Sequence, residues 1–232
     1  MANDDYTDGL ENDCTSSNGR NRALDAARDQ GIVWEDDGLS LPAAIVLEAY
    51  LSISERDGYA WLVFGDIMKT LYRFAAAQEA YAKALALAPV GKEYLAELRL
   101  AMLENRCGNY EMAEEWYLRA FARPEMHTES MRWPYVLRGD NFLSLGRLTD
   151  AERIFHEATA LESDPSDLDE AWHMFGVSLA LQGKYEAARA AIEAAVKCDP
   201  TNSKSQELLC ALSLIPRAEL LAANALASRW SK

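Results

Sequence analysis

Apolar residues recur at spacings of three and four along most of the chain, and turn residues interrupt them at regular intervals. This spacing is typical of amphipathic α-helices, because residues at i, i+3 and i+4 lie on one helix face. Glycine marks several of the turns, as in Cys107-Gly108-Asn109-Tyr110 and Gln182-Gly183-Lys184-Tyr185. Since glycine suits the left-handed residue that ends a helix, each such turn predicts a pair of adjacent helices.

One residue pattern occurs twice, beginning at two tryptophans. Trp61-Leu62-Val63-Phe64-Gly65 recurs as Trp172-His173-Met174-Phe175-Gly176. Both copies continue at offsets of 16, 20, 23 and 28, with Ala77, Tyr81, Ala84 and Pro89 in the first copy and Ala188, Ile192, Ala195 and Pro200 in the second. Two weaker copies lie between, so the repeats start near residues 58, 94, 132 and 169. One helix pair cannot bury its apolar face alone, so these pairs are expected to stack.

These residues resemble the tetratricopeptide repeat (TPR), a helix-turn-helix unit of about 34 residues. The resemblance extends from Gly58 to Pro200, although Glu97 and Tyr135 replace the tryptophan in the middle copies. It implies an all-α fold, namely a right-handed α-solenoid of about four TPR helix pairs with N-terminal and C-terminal flanking helices. The first turn differs from the others, because Tyr72-Arg73 stands where they have glycine.

The chain is expected to contain four regions. Residues 1–20 are rich in Asp, Asn, Ser and Gly and are predicted to be a disordered acidic tail. Residues 21–57 are expected to form two flanking helices, near 21–30 and 40–54, and residues 58–200 form the TPR domain. Residues 201–232 are expected to form capping helices at 203–214 and 216–230, of which the second is too apolar for a free outer surface.

Charge narrows the classes of partner. The 232 residues include 37 Asp and Glu but 23 Lys and Arg, which gives a formal net charge of −14. This charge repels nucleic-acid backbones and anionic lipid heads, so neither nucleic acid nor membrane is an expected partner. Residues 1–57 hold 13 acidic and 4 basic residues, so most of the excess lies outside the repeats. The N-terminus lacks the basic and apolar regions of a signal peptide, which makes a cytoplasmic location the default expectation.

Motifs for catalysis and metal binding are not visible in the sequence. Its cysteines form no Cys-x-x-Cys pair, and no phosphate-binding glycine loop or nucleophile motif is present. His156-Glu157 begins like a zincin motif, but Ala160 stands where that motif requires its second histidine. We therefore expect no cofactor, no metal and no enzymatic activity.

The family resemblance implies a binding groove on the concave surface, lined by the second, fifth, ninth and twelfth positions of each repeat. The expected groove residues are Tyr59, Leu62, Asp66, Leu95, Leu98, Met102, Trp133, Val136, Asp140, His173 and Val177. An exposed apolar strip usually marks a binding surface, and its isolated acidic groups favour a ligand with some basic residues. The alternative is that the long inter-repeat loops rotate the repeats, so that some of these residues belong to the core.

The sequence thus favours a protein–protein interaction module, scaffold or chaperone-like, that binds a peptide or helical segment through apolar anchors. Tail-peptide binding is disfavoured, because Asp66 would repel a C-terminal carboxylate at that position. A structural protein that homodimerises through its apolar C-terminal helix is the alternative. An enzyme is a third hypothesis that no residue supports.

Overall fold

Twelve α-helices make up the part of the chain that the computed structural model describes, which comprises residues 17–36, 38–128, 131–161 and 167–214. They are α1 (Ser17–Asp36), α2 (Ser40–Leu51), α3 (Gly58–Thr70), α4 (Phe74–Leu87), α5 (Glu93–Arg106), α6 (Tyr110–Phe121), α7 (Pro124–Thr128), α8 (Trp133–Ser144), α9 (Leu148–Ala160), α10 (Leu168–Leu181), α11 (Tyr185–Cys198) and α12 (Ser203–Leu214). These ranges contain no strand, and the predicted all-α fold class is confirmed. The chain divides into two compact units, Met1–Leu103 and Glu104–Lys232, with the boundary inside α5.

The first unit is built from paired helices whose axes approach closely. α1 packs on α2, and α3 packs on both α2 and α4. At the centre of the α3–α4 pair, Gly65 lies against the ring of Tyr81, and a Cβ at residue 65 would overlap that ring. Because protein interiors are close-packed, no space remains between the two helices for a further side chain. The α3–α4 pair therefore requires glycine at residue 65.

The α1–α2 pair repeats this arrangement and forms an additional pair of the same kind. Gly31 precedes Leu47 by sixteen residues, as Gly65 precedes Tyr81, and a Cβ at Gly31 would lie 2.7 Å from Leu47 Cγ. The turn at Gly38 has a φ of 74° and follows Gly31 by seven residues. The sequence predicted only a short helix near 21–30, whereas α1 begins at Ser17, inside the segment expected to be disordered, and ends at Asp36.

The side chain of Asp57 makes polar contacts with both pairs of the first unit. Asp57 caps α3, because its Oδ1 accepts a hydrogen bond from the backbone N–H of Ala60 at 3.0 Å. Tyr50 of α2 donates its hydroxyl to Asp57 Oδ2 at 2.9 Å, and Arg28 Nη1 of α1 lies 3.5 Å from the same oxygen. The start of α3 is therefore tied to both preceding helices.

The turn between α3 and α4 forms without glycine. Tyr72 has a φ of 59°, in the left-handed region that Gly108, Gly146 and Gly183 occupy in the corresponding turns. Its backbone N–H bonds to the carbonyl of Lys69, and Arg73 N–H bonds to that of Met68, which satisfies carbonyls at the end of α3. In this conformation the Cβ of Tyr72 lies close to the following carbonyl oxygen, which makes the turn less stable than one with glycine.

The second unit uses the same helix contact and adds buried polar ties. α8 pairs with α9 and α10 with α11, with Gly139 against Phe155 and Gly176 against Ile192. Arg138 of α8 forms a buried bidentate ion pair with Glu114 of α6, at 2.6 Å and 3.3 Å. Breaking such a pair from one side typically costs about 3–5 kcal/mol, so it fixes α6 against α8.

Some sequence predictions concern residues outside the described ranges. These are most of the acidic tail (residues 1–16) and the apolar C-terminal helix at 216–230. The first capping helix, expected at 203–214, is α12.

We predict that Gly31→Ala lowers the free energy of unfolding. Alanine is the better helix former by about 1 kcal/mol, so a site with free space would gain stability. The methyl group at Gly31 instead meets Leu47, and overpacking of this kind typically costs about 1–3 kcal/mol. Urea unfolding followed by circular dichroism measures the difference.

The control is the same substitution in a Leu47→Ala background, where the clash is gone and alanine should be neutral or stabilising. A gain of stability from Gly31→Ala in both backgrounds would show that α1 and α2 do not pack as the other pairs do.

Candidate binding faces of the first helices

The expected groove residues differ widely in exposure. Tyr59 is 59% exposed, whereas Leu62, Leu98 and Val136 are 7%, 0% and 4% exposed. The expectation of an exposed strip is therefore wrong for these three, which pack as core residues. The others are half-buried, namely Asp66, Leu95, Met102, Trp133, Asp140, His173 and Val177.

Tyr59 stands at the rim of an apolar cavity in the first unit. The cavity has a volume of about 190 Å³ and lies where α3, α4 and the start of α5 meet. Its lining residues are Gly58, Tyr59, Leu62, Ala84, Ala88, Pro89, Lys92, Leu95 and Ala96. Lys92 is the one charged residue among them, so the cavity offers an apolar side chain a largely apolar surface.

A larger hollow in the same unit has a different character. It has a volume of about 610 Å³ and lies between α2, α3 and α4, around Trp61. Trp61 donates its Nε1–H to the carbonyl of Glu55 at 2.9 Å, and Lys83 Nζ lies 4.1 Å from its ring centroid. The polar group and the ring face of Trp61 are thus already used within the chain, which indicates a structural role.

Asp66 lies at the ninth position of its repeat, and its carboxylate is saturated with donors. It accepts from Lys69 Nζ at 2.8 Å, from the Tyr81 hydroxyl at 2.8 Å and from Arg99 Nε at 2.9 Å. Burial by itself would raise the pKa of Asp66, but Arg99 and Lys69 outweigh it and hold that pKa below its ordinary value. Asp66 therefore ties α3 to α4 and α5, and it is not available to a ligand as the sequence suggested.

Asp140 lies at the same ninth position in the second unit but has no such donors. Within the described residues, nothing donates a hydrogen bond to its carboxylate or pairs with it. Burial, followed by the nearby charge of Glu170, raises the pKa of Asp140 to about 6. Asp140 is consequently a half-buried carboxyl group whose negative charge no donor or cation among the described residues balances.

The difference between the two carboxyl groups follows from three substitutions between the repeats. At the positions that Tyr81, Lys69 and Arg99 hold around Asp66, the second unit has Phe155, Leu143 and Met174. Phenylalanine lacks the hydroxyl group, and neither leucine nor methionine can donate a hydrogen bond. The site of Asp140 has thus lost every donor that its counterpart uses.

His173 is held by a contact with the last described helix. Its Nδ1 lies 2.9 Å from the hydroxyl of Ser205 on α12. Burial, with a contribution from Lys204, lowers the pKa of His173 below its ordinary value, which favours the neutral ring. His173 therefore acts as a polar contact between α10 and α12.

Sequence reasoning missed Pro89, Lys92 and Arg99 as parts of these sites. Pro89 and Lys92 come from the loop between two repeats, and the position rule counts only residues of the first helices. The three-residue spacing of Asp66 and Lys69 was a visible signal, since residues at i and i+3 are neighbours on a helix. The change from tyrosine to phenylalanine at Phe155 was a second one.

The described residues include no group of three or more His, Cys, Asp or Glu arranged to hold a metal ion. In the same part of the chain, every helix is too short or too polar to span a bilayer.

Comparison with known proteins gives one family match. Residues 136–203 match the model of the tetratricopeptide repeat. No curated protein sequence is detectably similar to this chain.

Three solved structures illustrate the similarity in fold. The APC/C hetero-tetramer Cut9-Hcn1 has 18% identity and a TM-score of 0.69, and the match covers 89% of this chain but 42% of that one. PilF of Pseudomonas aeruginosa has 19% identity and a TM-score of 0.71 over 90% of each chain. YrrB has 16% identity and a TM-score of 0.58 over 89% of this chain and 98% of its own. At these identities the matches show the fold alone, and they confirm the expected solenoid class.

We predict that the two aspartates affect stability in opposite directions. The folded-state pKa of Asp66 is lowered, so its charge stabilises the fold at neutral pH, and Asp66→Asn should destabilise the protein at pH 8. The folded-state pKa of Asp140 is about 6, above its ordinary 3.8, so stability is lost as the pH rises through 6.

Asp140→Asn should therefore stabilise the protein at pH 8, by up to about 3 kcal/mol because one pKa unit corresponds to about 1.4 kcal/mol. At pH 5.5 this gain should shrink. Urea unfolding at the two pH values measures both effects, and equal effects of the two substitutions at pH 8 would contradict the assignment.

Proposed function

Because this chain is a tetratricopeptide-repeat protein, we propose that it is a protein-interaction module with two separate subsites, one beside Tyr59 for an apolar side chain and one at Asp140 for a basic side chain. The contrast between Asp66 and Asp140 is the observation that carries this proposal. The same carboxyl position is fully satisfied in one repeat and unsatisfied in another.

The state of Asp140 supports a cationic ligand group. Burying a charge without a partner costs free energy, and a lysine or arginine from outside would recover that cost. Charge pairs at exposed sites contribute only about 0–1 kcal/mol, whereas truncating one partner of a buried, hydrogen-bonded pair typically costs about 2–5 kcal/mol. The half-buried position of Asp140 lies between these cases, so a basic side chain there would contribute both affinity and specificity.

The cavity beside Tyr59 supports an apolar ligand group. Its volume of about 190 Å³ is smaller than the roughly 300–1,000 Å³ of typical small-molecule sites. This size suits one large apolar side chain better than a cofactor. Aromatic residues at the edge of such pockets are frequent binding hot spots, which makes Tyr59 the first residue to test.

Two structural relatives agree with a binding role. YrrB is described as a TPR protein with an unusual peptide-binding site, and Cut9-Hcn1 as a hetero-tetramer. TPR proteins are in general interaction or scaffold modules without catalytic activity. We infer a non-enzymatic scaffold or chaperone-like role for this chain as well, with a peptide or helical segment of another protein as the ligand.

The test of the basic subsite is selection of ligands from a random peptide library with the full chain. Wild-type protein should enrich peptides with apolar residues and peptides with Lys or Arg. Asp140→Asn should remove the enrichment of basic residues, keep that of apolar residues, and weaken a selected peptide about tenfold, which equals about 1.4 kcal/mol.

Glu186→Gln is the matched control, because Glu186 is an exposed acidic residue at the start of α11. Its selection profile should equal that of the wild type. Enrichment of basic residues that persists in Asp140→Asn would refute the role of Asp140.

The test of the apolar subsite is Tyr59→Ala, measured by fluorescence polarisation with a peptide selected by the wild type. The substitution removes the cavity rim, so affinity should fall about tenfold or more, while the melting temperature stays close to that of the wild type because Tyr59 is exposed. Leu118→Ala serves as the control, since Leu118 is 53% exposed on the separate helix α6. If both variants bind equally well, the cavity is not a ligand site.

A further inference from the structure

The last described helix, α12, exposes a face that is buried in the other first helices. α12 packs on α11 through Leu208, Leu209 and Leu212. Cys210 and Ser213 are exposed. In the pairs that lie within one unit, the positions equivalent to Cys210 are Gly31, Gly65, Gly139 and Gly176, and all of these are buried.

The position equivalent to Ser213 gives the same contrast. Met68, Phe142 and Leu179 occupy it in α3, α8 and α10, and their exposed fractions are 3%, 1% and 3%. Each of these residues lies on a first helix that is packed on its own second helix. The face of α12 at Cys210 and Ser213 is thus the face on which a second helix would pack.

In every helix pair, the same kinds of residue occur at fixed distances in sequence from the small residue at the centre of the first helix. A residue with positive φ follows it by seven positions, as Gly38 and Gly183 show, and the second helix begins two residues later. An alanine follows the small residue by twelve positions and a large apolar residue by sixteen. The alanines are Ala43, Ala77, Ala113, Ala151 and Ala188, and the large residues are Leu47, Tyr81, Tyr117, Phe155 and Ile192.

The sequence after α12 follows the same numbering. Counted from Cys210, the twelfth residue is Ala222 and the sixteenth is Leu226. A second helix would begin at Glu219, and residues 219–232 are as many as form α4 or α11. Pro216 interrupts any continuation of α12 itself, because proline disrupts a helix interior.

We propose that the exposed face of α12 is covered by the C-terminal segment of the same chain, residues 215–232, which completes a further helix pair by seating Ala222 and Leu226 against Cys210. The C-terminal segment is identified as the occupant by the positions of Ala222 and Leu226 relative to Cys210. The small side chain of Cys210 fits this role, since the close approach of two helices requires a small residue there.

The accessibility of Cys210 tests the proposal in the full chain. A parent protein with Cys14, Cys107 and Cys198 replaced by serine carries Cys210 as its one thiol. Docking of the segment should slow the reaction of Cys210 with a thiol reagent, so Leu226→Asp, which places a charge in the contact, should accelerate it about tenfold or more, which corresponds to at least about 1.4 kcal/mol of docking free energy.

Ser228→Asp adds the same charge two residues away. By the shared numbering, Ser228 matches Lys83, a position on the exposed side of α4, so Cys210 in this variant should react as slowly as in the parent. Hydrogen exchange is a second measurement that does not depend on a substitution. The amides of residues 219–230 in the parent should exchange slowly if the segment is docked.

Three results would overturn the proposal. The first is equal reactivity of Cys210 in the parent and both variants, and the second is unprotected amides at 219–230. The third is a dimeric mass in light scattering together with protection that disappears on dilution, because the face would then be covered by a second copy of the chain.

Discussion

The close approach of two helices at one small residue is the contact on which the rest of the structure depends. A residue without a side chain on the first helix receives the large side chain that lies sixteen positions later. The contact occurs between Gly31 and Leu47, Gly65 and Tyr81, Gly139 and Phe155, and Gly176 and Ile192. The small residue lies near the middle of the first helix, and the large residue lies near the middle of the second. A fixed spacing of sixteen residues between them therefore fixes the position of the turn and the start of the second helix.

The fold could be predicted because the residues that form this contact are visible in the sequence. The α1–α2 pair was missed as a repeat because Ala27 stands where two other repeats have tryptophan and Tyr50 where they have alanine. The candidate sites could be predicted only in part. Position within a repeat does not distinguish Asp66 from Asp140, since two of the three donors around Asp66, Tyr81 and Arg99, come from other helices.

Local charge in this protein differs from its overall charge. The chain carries a net charge of −14, yet Asp66 is surrounded by Lys69 and Arg99, so that site as a whole is cationic. In the second unit the site around Asp140 is anionic instead, because Glu170 adds a second negative charge nearby. A partner would therefore be recognised through the few groups that it touches. Net charge affects mainly the rate of its approach and the salt dependence of that rate.

The contacts of Asp57 bear on how the first unit unfolds. Repeat proteins behave approximately as one-dimensional arrays, in which each repeat has its own stability and gains more from its neighbours. Asp57 caps one pair while it holds Tyr50 and Arg28 of the preceding pair, so the free energy of these contacts belongs to the interface between the pairs. Loss of the first pair would leave α3 without two contacts at its capping residue. Fraying of the first pair is thereby coupled to the second, because loss of α1 and α2 also weakens the start of α3.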